Sequence, residues 1–224
     1  MAEAERAARE RMVEVQLRGR DITDERVLKV MGDVPRHHFV PEDLRHQAYA
    51  DGPVRLDKGQ TISQPYIVAL MAQLLELEGE EAVLEIGTGS GYQAAVLSRL
   101  AARVYSLERI SELAVQASEK LRKLGYENVE VLERDGSKGL PEHAPYSAIV
   151  VTAAAPEPPE PLKEQLALEG RLVVPVGSQD GQTLERWRKG KGGALSQERI
   201  APVAFVPLMG EHGWKTDHRP FWAR

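Results

Sequence analysis

The chain has 224 residues, no cysteine and a single asparagine, Asn128, which excludes a disulfide scaffold and any thiolate chemistry or thiolate metal site. With 42% hydrophobic and 28% charged residues, it has the make-up of a soluble globular protein held by a packed core. Its net charge of −5, from 29 Lys and Arg against 34 Asp and Glu, disfavours non-specific attraction to nucleic acid or anionic membranes.

No stretch approaches the roughly 20 apolar residues that span a bilayer. Residues 1–14 alternate charges where a signal peptide has an apolar run, so a cytoplasmic protein is expected. Glu (25) far exceeds Asp (9) and Arg (20) exceeds Lys (9). Together with the scarcity of Asn and Cys this fits a heat-stable protein, and equally GC-rich coding.

The length predicts one domain over residues 1–224 in three textures: a helical region at 1–81, a βα core at 82–181, and strands with a tail at 182–224. Residues 2–17 and 24–31 carry apolar side chains at helical spacing, the second run preceded by Thr23 as its expected N-cap. Pro35 and Pro41 bracket a turn, since each restricts the residue before it. A surface helix is expected over 43–49. A polar Gly/Pro-rich loop over 51–64 then leads into a helix whose apolar face is Ile67, Leu70, Met71, Leu74 and Leu75.

From Ala82 onward, β-type runs at 83–86, 104–107, 129–132, 148–151 and 172–174 are separated by segments long enough for crossover helices. That pattern predicts an α/β fold with a doubly wound, mostly parallel sheet. Runs at 184–187 and 200–206, joined by the Gly/Lys-rich link 189–193, predict a closing antiparallel hairpin.

The first βα connection reads Glu85-Ile86-Gly87-Thr88-Gly89-Ser90-Gly91-Tyr92. Its G-x-G-x-G spacing lacks the third glycine of the dinucleotide fingerprint G-x-G-x-x-G, so a diphosphate is not the expected ligand. Glu108 follows the second strand about 20 residues on, where an acid accepts hydrogen bonds from ribose hydroxyls. Asp135, in Arg134-Asp135-Gly136-Ser137, follows the third strand. Three acidic and glycine-rich strand ends in this order point to a nucleoside. The six histidines form no H-E-x-x-H, no metal-ligand set is read, and no G-x-S-x-G elbow is present.

The glycine turn with Glu108 resembles the class I S-adenosylmethionine-dependent methyltransferases, with their Rossmann-like fold. That resemblance implies that Glu85, Gly87, Thr88, Gly89, Ser90 and Gly91 face the methionine part of S-adenosyl-L-methionine. Glu108 and Arg109 would then meet the ribose, and Asp135 with Gly136 the adenine. The loop Gly59-Gln60-Thr61-Ile62-Ser63-Gln64-Pro65 by itself reads as a helix cap. Taken with Val34-Pro35-Arg36-His37-His38-Phe39-Val40-Pro41, Val151-Thr152-Ala153-Ala154-Ala155-Pro156 and Phe205-Val206-Pro207-Leu208, it resembles the protein-L-isoaspartate O-methyltransferases over residues 34–214. Ser147 and Arg134 depart from that family's usual Asp and Gly, and Lys215 to Arg224 extends past its usual end.

The resemblance implies methyl transfer from S-adenosyl-L-methionine, leaving S-adenosyl-L-homocysteine, to the free carboxylate of L-isoaspartyl and D-aspartyl residues in damaged proteins. It assigns Ser63 to catalysis; Thr61, Gln64 and Thr152 to the donor site; and Ile62, Ser63, Val206 and Leu208 to the substrate. A monomer is expected, with no nucleic-acid or membrane partner. A methyltransferase acting on a small carboxylic acid shares the same donor site and stands as the alternative.

Overall fold

A computed structural model describes residues 2–56, 59–178 and 181–215. Helix α1 (Ala2–Arg11) runs on into a π-helical stretch, Met12–Arg18, that buries Met12, Val13 and Leu17. The next helix, α2 (Glu25–Asp33), is capped by Asp24 and not by Thr23. The Asp24 carboxylate accepts from the amides of Arg26 at 2.8 Å and Val27 at 3.4 Å, and the Thr23 amide is taken by the Gln73 side chain at 2.7 Å. A charged carboxylate is the stronger acceptor at the positive end of a helix. The helix expected over 43–49 is a 3₁₀ segment, Glu42–Gln47, with no buried residue. Only Leu44 of this segment packs against the core, too little apolar surface to hold a longer helix there.

Strands β1 (Val54–Arg55) and β2 (Thr61–Ile62) make a two-stranded antiparallel ribbon inside what reads as loop. It delivers the chain to α3 (Pro65–Leu74), with Pro65 in the first turn. The main sheet has the order β5-β4-β3-β6-β7-β8-β9. Its members are β3 (Ala82–Ile86), β4 (Arg103–Glu108), β5 (Val129–Glu133), β6 (Tyr146–Val151), β7 (Leu166–Ser178), β8 (Gly181–Lys189) and β9 (Leu195–Val203). Pairings from β5 across to β7 are parallel, and β7-β8-β9 are antiparallel, as the sequence predicts.

Helices α4 (Tyr92–Ser98), α5 (Ser111–Lys123) and the short α6 (Glu160–Glu164) make three of the crossovers. Between β5 and β6 the expected crossover helix is replaced by two 3₁₀ turns, Gly136–Lys138 and Pro141–His143. Glycines and prolines at 136, 139, 141 and 145 interrupt any longer helix there. Strand β7 is longer than the expected 172–174, and β9 ends at Val203, before the expected Val206.

The near-continuous apolar runs of the central strands follow from burial on both faces. Val83, Val104, Ala148, Val150 and Val173 pack with the N-terminal helices, α3 and α4. Leu84, Ile86, Leu107, Ile149, Val151 and Leu172 pack on the opposite side with Leu140 and Leu162. From β3 the chain steps outward through β4 and β5, then returns to β6 on the other flank of β3. The carboxyl ends of β3 and β6 therefore flank the switch point where open α/β sheets bind ligands.

Candidate active site

The turn after β3 has three glycines in the left-handed region, with φ of +98° at Gly87, +52° at Gly89 and +87° at Gly91. At Gly87 the requirement is also steric: a Cβ there would lie 2.4 Å from the Thr152 hydroxyl oxygen. That hydroxyl donates to the carbonyl of Gly87 at 2.6 Å and reaches that of Ile86 at 3.0 Å, tying the end of β6 to the turn. On the other flank, the Gly87 amide donates to Leu107 O at 2.8 Å. The Thr88 hydroxyl lies 2.6 Å from that of Ser106.

Glu108 ends β4 and is nearly buried. Its two oxygens accept from the amides of Gly89 and Ile110, both at 2.9 Å. An amide that would otherwise face a diphosphate is thus committed to a carboxylate whose own charge repels one. The physical result agrees with the glycine spacing. Each carboxylate oxygen keeps a second lone pair for a hydroxyl donor.

Glu108 lies in a cleft of about 690 Å³, counting the part open to solvent, that also exposes Gly87, Gly89, Arg109, Gly136 and Thr152. Its apolar walls are Ile86, Leu107, Ile110 and Leu208. Gly136 forms a bare stretch of wall, since a Cβ there would meet Ile86 Cγ2 at 2.4 Å. An apolar slot with one fixed acid fits a nucleoside.

Six expected donor residues stand outside this cleft's lining: Thr88 and Ser90 border the chamber beside the glycine turn, Gln64 borders a groove farther out, and Glu85, Gly91 and Asp135 border none of these spaces. Glu85 lies opposite Ser106 in the β3–β4 register and is fully buried, its Oε2 accepting from the Ser106 hydroxyl at 2.5 Å. Burial pushes its carboxyl up to about 8, the Ser106 hydroxyl opposing this and the charge of Glu108 adding to it. Strand alternation explains the placement, because Ile86 faces the cleft side and Glu85 therefore cannot.

Asp135 holds the C-terminal segment instead. Its Oδ1 accepts from the Ser137 amide at 3.0 Å and hydroxyl at 2.7 Å, and its Oδ2 accepts from the Glu211 amide at 2.9 Å. Partial burial alone would raise this carboxyl, but those three donors and the Lys138 charge hold it below its ordinary value. The adjoining Gly136 is the residue of this pair that reaches the cleft.

Two further hollows adjoin the cleft, the inner one smaller (about 350 Å³) and the outer one larger (about 910 Å³), both counted with the part open to solvent. An inner chamber is lined by Thr61, Ile62, Ser63, Gly87, Thr88, Gly89, Ser90, Tyr92, Gln93 and Thr152. An outer groove runs between Pro53, Ser63, Gln64 and Ile67 on one side and Pro202, Val203, Ala204 and Phe205 on the other. Thr61 borders all three spaces, and Ser63 borders the inner chamber and the outer groove.

The loop does begin α3 as expected, with Gln64 at the N-cap and Pro65 in the first turn, but no side chain caps the helix. The Gln64 side-chain amide donates to Asp51 Oδ1 at 2.6 Å. Val206 and Leu208 flank a parallel bridge to Ala154, Val206 O accepting from the Ala154 amide and Leu208 N donating to the Ala154 carbonyl, both at 2.8 Å. The Val206 carbonyl is therefore already engaged. Sequence reasoning did not single out Gln60, Ile110, Met209, Tyr92 or Gln93 as lining residues. Gln60, Tyr92, Gln93 and Ile110 lie in or beside the loop, the glycine turn and the end of β4, whereas Met209 is brought here from a distant segment.

A family profile for protein-L-isoaspartate(D-aspartate) O-methyltransferase matches residues 7–213. The chain belongs to this family. A protein-L-isoaspartate O-methyltransferase of Geobacter metallireducens is 53% identical over 210 residues, covering 94% of this chain and 97% of its own length. One from Methanoregula boonei is 55% identical over 210 residues, covering 92% and 95%. Among solved structures, a protein-L-isoaspartate O-methyltransferase matches with a TM-score of 0.83 at 30% identity, covering 92% of this chain and 67% of that one. A Plasmodium falciparum structure named for the same activity, in complex with S-adenosyl-L-homocysteine, matches at 0.78 and 27% identity, covering 90% and 98%. Among the described residues of this family member, no helix is long and apolar enough to cross a membrane.

Proposed function

We propose that this chain transfers a methyl group from S-adenosyl-L-methionine to the free carboxylate of L-isoaspartyl residues in damaged proteins, with Ser63 orienting the acceptor. The donor, when bound, supplies an electrophilic methyl on a sulfonium. Glu108 holds the ribose hydroxyls on its remaining lone pairs, the cleft around Gly136 takes the adenine, and Gly87 and Gly89 let the main chain approach the rest.

The observation that carries the acceptor assignment is the position of Ser63 on the path from the outer groove to the glycine turn. An acceptor carboxyl with an ordinary value of about 4 is ionised at neutral pH, so no general base is required. The chain's task is to hold the carboxylate in line and exclude water while opposite charges cancel. Alignment of this kind contributes about 7–11 kcal/mol in favourable cases. Ser63, through its hydroxyl and the amides of its loop, orients the carboxylate, and Thr61 walls the same path.

The outer groove, bordered by the extended segment Pro202 to Phe205, suits an extended peptide and favours a protein substrate over a small carboxylic acid. The methyl ester formed is a better leaving group than the free acid. Attack by the following backbone amide expels methanol and closes a succinimide, which reopens in part to normal aspartate.

The test pairs a synthetic isoaspartyl peptide with its aspartyl twin and measures base-labile methyl incorporation. Incorporation confined to the isoaspartyl peptide is expected, and equal labelling of both refutes the reading. Ser63→Ala should lower kcat/KM about 10-fold or more with S-adenosyl-L-homocysteine binding unchanged. Unaltered turnover removes Ser63 from the mechanism.

A further inference from the structure

The inner chamber contains one side chain whose hydrogen bonding the fold leaves incomplete. Gln93, in the first turn of α4, is 7% exposed and lines the chamber together with Ser63. Its amide nitrogen is buried with no hydrogen-bond partner. The neighbouring polar groups are already used: Thr88 with Ser106, Thr152 with the carbonyls of Ile86 and Gly87, and Ser90 with the Tyr92 amide. An unpaired buried N–H is costly, and native folds keep few of them. A half-turn about the terminal torsion exchanges the nitrogen and oxygen of the amide, so the donor can be presented to the chamber without moving the rest of the side chain.

Methyl transfer uses one oxygen of the acceptor carboxylate and leaves the other to be held. Resting on the acceptor reading above, we propose that Gln93 contacts the substrate, its side-chain amide donating to the carboxylate oxygen that is not methylated while Ser63 orients the reacting one. A neutral donor suits this reaction. The acceptor's charge disappears as the bond forms, so a lysine or arginine at this place would stabilise the bound substrate more than the transition state.

The experiment compares wild type, Gln93→Glu and Gln93→Met on the isoaspartyl peptide between pH 5.5 and pH 8, with S-adenosyl-L-homocysteine affinity measured in parallel. At pH 8 the carboxylate of Gln93→Glu faces the substrate carboxylate, and KM should rise about 10- to 100-fold with homocysteine-nucleoside affinity within about twofold. Burial at this position and the facing substrate carboxylate both raise the variant's carboxyl above the ordinary value of about 4.3, so toward pH 5.5 it gains a proton, regains a donor, and its KM should return toward wild type. Gln93→Met should raise KM at every pH with no recovery.

A wild-type KM in Gln93→Glu at pH 8, or a defect that does not change with pH, overturns the proposal. If Gln93→Glu does not fold, Gln93→Met decides: a raised KM with unchanged donor-site binding supports the contact, and an unchanged KM overturns it. Failure of wild type to methylate the isoaspartyl peptide removes the acceptor reading and this inference together. Normal wild-type turnover with unaffected variants removes only the inference.

Discussion

Replacing Glu85 with Gln should stabilise the protein, and increasingly so as the pH rises. Glu85 is fully buried between Val83 and Ile86 on β3, its Oε2 accepts from Ser106, and its Oε1 has no partner. Burial, opposed by Ser106 and reinforced by the charge of Glu108, raises its carboxyl from 4.5 to about 8. Between those two values the folded chain carries a proton that the unfolded chain has released, so stability falls as the pH rises, and above the folded value the full cost is present. Each pH unit in that window costs about 1.4 kcal/mol.

The destabilisation by Glu85 is therefore under about 1 kcal/mol at pH 5, about 3 at pH 7 and about 5 at pH 9. A glutamine has the same shape, keeps a hydrogen-bonding group beside Ser106, and carries no charge at any of these pH values. Urea unfolding followed by circular dichroism, without donor, should show the gap between variant and wild type widening across pH 5, 7 and 9. Other titrating groups are common to both chains and cancel in the comparison. A constant offset at all three pH values refutes the argument that Glu85 is a buried acid held neutral by desolvation.

Gly87→Ala should weaken S-adenosyl-L-homocysteine binding more than about 10-fold by calorimetry, because its Cβ would collide with Thr152 and its φ of +98° disfavours a side chain. Wild-type affinity would show that the turn tolerates a side chain. Glu76→Gln removes a carboxylate shared by Arg171, Arg186 and Arg188, leaving Arg186 its second partner, Glu198. Because these groups are partly exposed, the expected loss is about 1–2 kcal/mol in denaturant unfolding at pH 7.

The Arg188 hydrogen bonds, opposed by partial burial and aided by the three arginine charges, lower the Glu76 carboxyl. Its contribution is thus present above the ordinary carboxylate value and fades as the pH falls below about 4. A gap that persists in acid contradicts the pairing. Of the Asp-Gly pairs at 51, 135 and 180, Asp135 should accumulate isoaspartate more slowly than Asp51 on heating, because two backbone amides and the Ser137 hydroxyl fix its part-buried carboxylate, whereas the exposed Asp51 is held by side chains, those of Gln64 and Arg20. Peptide mapping that finds Asp135 damaged first refutes this. Asp180-Gly181 lies between the expected strands, in a turn where isoaspartate is expected to form fastest, but Asp180 itself is outside the described residues.

The sheet, the glycine turn, Glu108 and the Ser63 loop are legible in the sequence because their causes are local. Backbone sterics choose glycine at positive φ, burial on both faces demands apolar runs, and the carboxyl ends of parallel strands share one edge. The cap of α2 falls on Asp24 and not Thr23 because the first intrahelical bond, from the Leu28 amide to Asp24 O at 3.0 Å, starts there and the Asp24 carboxylate takes the amides of Arg26 and Val27.

Three placements depend on contacts between distant segments. Asp135 is bound to the amide of Glu211, Val206 O accepts from the Ala154 amide, and Gln93 and Ser63 line the same inner chamber. Asn128 shows the division most clearly. Composition marks it as the only asparagine in a chain whose activity addresses damage arising from asparagine and aspartate. The fold supplies a structural reason for keeping it: its side-chain amide donates to Ser98 O at 2.9 Å, Ala101 O at 3.1 Å and Ala102 O at 3.3 Å, closing the end of α4. Which carbonyls need a donor is decided only when α4 and the start of β5 are brought together, and no local sequence pattern records that meeting.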